Sequence, residues 1–165
     1  MLNSKMREAI DLQELICVSL NDSVDNFLIG ILEGCDEDGL LLLNVDYRGI
    51  ATGHVYLSMA KVNSFMEKPE YVGKIKILCN KKGKLGEIIS FPHGRKLLDS
   101  FLKWVCTKHK MLRITFPDEQ ITGYICRMEE ESILLDVVDN FTGEPDGKLF
   151  IRKEHLMDVM SVEQE

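Results

Sequence analysis

Apolar residues alternate with polar ones at Ile16, Val18 and Leu20, and again at Leu112, Ile114 and Phe116. A period of two predicts a half-buried strand near the start of each half of the chain. Asp22 in one half and Pro117 with Asp118 in the other supply turn chemistry after that strand. Leu28, Gly30 and Leu32 then match Ile121, Gly123 and Ile125 on a second strand, where an internal glycine predicts strong bending or close backbone approach. Acidic turns at 36–39 and 129–132 lead into 40–45 and 133–138, runs that are apolar on both faces and read as central strands. Further turns precede strands at 55–57 and 149–151, and a last short strand is expected near 61–65 and 155–159. Five short strands in each half is the number in a small, strongly bent open barrel.

The two sets are copies. Gly30 aligns with Gly123, Asp46 with Asp139 and Gly53 with Gly147, at offsets of 93, 93 and 94 residues. A helix precedes each copy. Met6, Ile10 and Leu12 to Leu15 form an amphipathic stretch capped by Asn3 or Ser4. From Pro92 onward, Leu97, Leu98, Phe101, Leu102 and Val105 gather on one helical face, with Trp104 at its edge as a packing anchor. The segment 73–91 reads as a β-hairpin turning around Asn80 to Lys84. The expected organisation is therefore mainly β: two tandem five-stranded bent barrels, each after a helix. The first module spans 1–69, a basic hairpin linker 70–92 and the second module 93–165.

Composition is that of a globular chain, with 45% hydrophobic and 28% charged residues among 165. No apolar run reaches the roughly 20 residues of a membrane span, and the N-terminal segment has no apolar signal-peptide core, so a cytoplasmic location is expected. Cys17, Cys35, Cys79, Cys106 and Cys126 include no CxxC pair and read as reduced, partly buried thiols rather than a disulfide framework or a zinc site. The net charge of −7 is unevenly spread. Residues 71–113 hold eleven lysines and arginines against Glu87 and Asp99, a local charge of +9 that leaves −16 for the remainder. Such segregation can draw an anion to an acidic protein.

Catalytic motifs are missing: no GxSxG elbow, phosphate loop, HExxH or dinucleotide fingerprint occurs. His54, His93, His109 and His155 fall on different elements, and the carboxylate clusters fall in turns. Neither an enzyme nor a cofactor is expected.

The stretch 30–43, GILEGCDEDGLLLL, resembles the first motif of the Sm and Sm-like (LSm) family, with Gly30, Leu32 and Asp36 at its glycine, apolar and aspartate positions. The second copy has Gly123, Ile125 and Glu129 there, and Ile151 with Arg152 resembles the apolar and arginine pair of the second motif. The likeness extends distantly to the bacterial Sm-like RNA-chaperone branch. It implies small barrels in which strand four of one unit pairs with strand five of the next, because an open barrel leaves edge groups unpaired. Fusion of two such units implies self-association, three chains giving a six-barrel ring. The asparagine that family members carry four residues after the motif aspartate is replaced by Leu40 and Ile133. Contacts to single-stranded RNA are therefore assigned to the basic middle: Lys74, Lys76, Lys81, Lys82 and Lys84 first, then Arg95, Lys96, Arg152 and Lys153. The alternative is a protein-interaction or assembly module on the same scaffold without nucleic acid, which the acidity outside the basic segment favours.

Overall fold

Hydrogen bonds between neighbouring strands run without a break through ten antiparallel strands, in the order β5-β1-β2-β3-β4-β10-β6-β7-β8-β9. The computed structural model describes residues 4–21, 27–66, 73–77, 88–91 and 96–162. In chain order these give α1 (Ser4–Leu12), β1 (Leu15–Leu20), β2 (Phe27–Cys35), β3 (Gly39–Val45), β4 (Ala51–Ser58) and β5 (Val62–Met66). The short helix α2 (73–77) follows. Then come α3 (Leu97–Thr107), β6 (Met111–Thr115), β7 (Gln120–Met128), β8 (Ser132–Val138), β9 (Pro145–Arg152) and β10 (Asp158–Val162). Among the described residues no helix is long and apolar enough to cross a membrane.

The duplication read from the sequence persists in the pairing. Gly30 lies opposite Ile16 and Gly123 opposite Leu112. The β2–β3 ladder slips past Glu33, and the β7–β8 ladder slips past the matching Cys126. In each half the fifth strand returns to the first, pairing Phe65 with Val18 and Val159 with Ile114. A 3-10 turn, Met59–Lys61 or Lys153–His155, precedes that strand and shifts its start to Val62 or Asp158, later than the alternation suggested.

Close approach explains the strand glycines. A Cβ on Gly30 would collide with the Leu43 carbonyl oxygen, and one on Gly123 with the Asp136 carbonyl oxygen. The turns after β3 and β8 are also equivalent. The Asp46 carboxylate accepts from the amides of Arg48 and Ile50, and that of Asp139 from the amides of Phe141 and Thr142. At Asp46 slight burial pushes the pKa up, but the Arg48 side chain and the two amides outweigh it and hold the group below its usual value. At Asp139 the Thr142 and Phe141 amides have the same effect.

β3 is apolar on both faces because both are covered. Leu40 and Leu42 pack with Met6 and Ala9 of α1, whereas Leu41 points the other way into the cluster built on α3. All three leucines are fully buried, each contributing on the order of 2 kcal/mol by transfer from water. A third, smaller cluster joins Ile75 of α2 to Cys17, Ile29 and Val45.

Three expectations change. The sheet is open and continuous, so the two modules do not stand apart as separate tandem barrels; β4 and β10 join them. Residues 73–77 are helical rather than the first arm of a hairpin, since Ile75 turns inward onto the sheet while Lys74 and Lys76 stay exposed; the expected hairpin turn lies outside the described residues. The α3 helix starts at Leu97, later than Pro92, and its N-cap residue Lys96 makes no side-chain cap.

Gly30→Ala and Gly123→Ala are each expected to destabilise the protein by about 1–3 kcal/mol through forced backbone displacement, measured as a lower urea midpoint with unchanged m-value. A lowered carboxylate pKa contributes stability that is present above the unfolded value of 3.8 and is lost as the pH falls through the folded one. The Asp46→Asn, Asp139→Asn double variant is thus expected to lose less stability than the parent between about pH 4 and pH 2 in acid titrations followed by circular dichroism.

Candidate interface and cleft at the junction

The junction is built from β4 and β10, which pair from Leu57↔Asp158 to Gly53↔Val162. Gly53 has a φ of 144°, and a Cβ there would strike the Ser161 carbonyl oxygen, so only glycine fits the seam. The Ser161 hydroxyl accepts from the His54 amide at 3.1 Å and faces the His54 carbonyl at 3.5 Å.

Beneath the seam lies a buried polar cluster. Glu33, the extra residue of the β2 bulge, is turned inward, and its Oε1 sits 2.6 Å from His54 Nδ1. Its Oε2 accepts the Ile89 amide at 2.6 Å. The side chains of His54 and Glu33 are 4% and 0% exposed. The His54 ring meets Trp104 of α3 edge to face at 5.0 Å between centroids. Both carboxylate oxygens of Glu33 are engaged, so the group serves as a tether rather than a free base. It draws β2, β4 and the segment leading to α3 onto one point, and Trp104 closes the far side.

A second carboxylate performs the capping that Lys96 does not. Asp36 Oδ1 accepts the amides of Asp38 and Gly39 at 2.9 Å each, shaping the β2–β3 turn, while Oδ2 accepts the Leu97 amide at 2.9 Å. A turn of the first half therefore caps the helix that leads into the second. Burial, followed by the neighbouring Asp36 charge, pushes the Cys35 thiol up to about 11.

Beside this cap a cleft of about 430 Å³ opens between the halves. Its walls come from the β2–β3 turn, the end of β4, the start of α3, the β7–β8 turn and the 3-10 turn after β9. Six carboxylates line it against three cations.

Those cations are Lys96, Arg152 and Lys153, so the fold brings three of the nine residues expected to bind phosphate to one place. Two are already committed. Lys153 Nζ is 2.9 Å from Asp99 Oδ1 and donates to the Glu130 carbonyl at 3.0 Å, and Arg152 lies 2.9 Å from Glu154. Lys74 and Lys76 are exposed on α2 and form no part of the cleft. Lys81, Lys82, Lys84 and Arg95 lie outside the described residues. Motif reading missed Glu33, His54 and Tyr56. Glu33 did leave a signal, as the single acid inside the otherwise apolar strand FLIGILEGC. Among the described residues no group of three or more His, Cys, Asp or Glu side chains is arranged to hold a metal ion.

Glu33→Ala would leave His54 Nδ1 and the Ile89 amide without their partner in a buried site, and a loss of about 3–5 kcal/mol is expected in urea denaturation. Asp36→Ala is expected to cost less, about 1–2 kcal/mol, with amide exchange accelerated at the first turn of α3. Comparison with protein-family models, with curated proteins and with solved structures finds no match for this chain.

Proposed function

We propose that this protein is a non-enzymatic assembly module of the cytoplasm, built from two fused Sm-like bent units, whose activity is association through its sheet ends. The observation that carries this reading is an asymmetry between equivalent strands. In the first half, β4 is covered: Tyr56 is 2% exposed and Leu41 beside it is fully buried, under α3 and next to the β10 seam. In the second half, the matching strand β9 is the end of the sheet, and Phe150, which corresponds to Tyr56, is 60% exposed. Phe141 nearby is 97% exposed. Among the described strands, the opposite end of the sheet is β5, the counterpart of β10.

A β9 end and a β5 end are thus the two partners of a seam the chain already makes once. The chain repeats this geometry by accepting the β5 edge of a second copy along its own β9 edge, a heterologous contact that closes a ring when the rotation permits. Translating the internal register predicts Phe65 opposite Phe150 and Ser64 opposite Ile151 across such a contact. Pro145 and Lys148 on β9 restrain indiscriminate pairing, as edge strands require.

A second reading, phosphate binding by single-stranded RNA, draws support from Lys74 and Lys76, two exposed cations on a short helix anchored by Ile75. It draws none from the cleft, where carboxylates outnumber cations two to one.

Sedimentation equilibrium at tens of micromolar is expected to give a mass well above one chain of 18.9 kDa, with about 57 kDa for three chains. Phe150→Glu is expected to return the protein to a monomer with little loss of stability, since the side chain is already 60% exposed. A parent protein that stays monomeric at every concentration would sink the assembly reading. Binding to labelled single-stranded RNA that weakens with salt, and weakens further on reversing the charges of Lys74 and Lys76, would favour the phosphate reading instead.

A further inference from the structure

We infer that the cleft between the two halves is a binding site for an aliphatic ammonium ligand, a linear polyamine or the side chain of a lysine. Three features specify it independently of whether the chain self-associates.

The first is Tyr56. The residue is 2% exposed, yet its hydroxyl has no hydrogen-bond partner among the described residues and opens on the cleft, so it is not a buried orphan. Gly39 makes the room: a Cβ there would fall onto the hydroxyl. Burial first, and then the charges of Asp36, Asp38 and Asp99, push the phenol pKa up, so the group remains a neutral hydroxyl with an oxygen lone pair available to an N–H donor.

The second is charge. Asp38, Glu130 and Glu131 have no ion-pair partner among the described residues, Arg152 and Lys153 are neutralised by Glu154 and Asp99, and Lys96 is the one lining cation outside these pairs. The free field of the walls is negative, and a cation is the complementary guest.

The third is shape. Leu98, Leu156 and Met157 supply apolar wall beside the carboxylates, which suits methylenes between or behind ammonium groups. The carboxylates form no group arranged to hold a bare metal ion. About 430 Å³ falls inside the roughly 300–1,000 Å³ range of small-molecule sites.

Isothermal titration of the full chain at low salt with spermidine, with a blocked lysine tripeptide and with magnesium chloride tests the inference. The expected result is saturable binding of spermidine or the peptide, weakened at 0.5 M salt, with magnesium far weaker. Preference for spermidine identifies a free polyamine, and preference for the peptide identifies a partner's lysine. Tyr56→Phe, which keeps the ring, is expected to weaken binding about tenfold, and the Glu130→Gln, Glu131→Gln pair about tenfold or more. Because both glutamates are exposed, the pair keeps the test valid if Tyr56→Phe disturbs folding. Failure of both amines to bind at low salt would overturn the assignment. So would binding that neither variant alters, or magnesium binding as tight as spermidine's.

Discussion

The backbone seam between β4 and β10 is the constraint on which the rest of the molecule depends. Each five-stranded half ends in strands whose outer N–H and C=O groups need partners, and an edge left bare invites pairing with another chain. Joining β4 to β10 removes one such pair of edges inside the chain. It also sets where α3 can lie. With the strands in register, Leu97, Phe101, Leu102 and Val105 fill the second half's core, and Leu41 and Tyr56 of the first half join the same cluster. One helix thus packs against residues of both halves in a single cluster, and the halves become a single packed body.

Polar groups fasten what apolar contact alone would leave free to slide. Apolar packing is non-directional, whereas Glu33 must meet both His54 Nδ1 and the Ile89 amide at 2.6 Å, and Ser161 must meet the His54 backbone. Buried groups of this kind cost several kcal/mol when unpaired, so any other placement of the halves is penalised. Asp36 adds a third directional tie by capping α3 from the opposite half. Among the described residues every fully buried side-chain nitrogen and oxygen has a partner.

Duplication followed by fusion leaves equivalent positions in unequal surroundings. Glu33 and Cys126 occupy the same bulge, but the first is buried under the junction and the second is exposed. Tyr56 and Phe150 differ in the same way. The residue types follow the surroundings: an acid where a histidine and an amide await it, an exposed thiol at the equivalent bulge. The cleft arises from the same asymmetry, because it forms where the turns of one half face the helix and turns of the other.

Local pattern alone determined much of this protein. Period-two alternation located β1, β2, β6 and β7, and the apolar runs located β3 and β8. The three glycine and aspartate correspondences revealed the repeat, whose register is set by backbone sterics at Gly30 and Gly123. These features are decided within a strand and its immediate neighbour, so a single sequence carries them. Tertiary structure alone decided the rest: that the halves share one sheet, that α3 is capped from Asp36 sixty-one residues away, that residues 73–77 form a helix instead of a strand, and that Glu33 meets His54. Each depends on which surfaces meet after the strands have formed. The same holds for charge, since Lys153 is basic in any reading of the chain but becomes unavailable only when folding sets Asp99 against it. Side-chain chemistry is written locally, and its availability is set by burial and by partners distant along the chain.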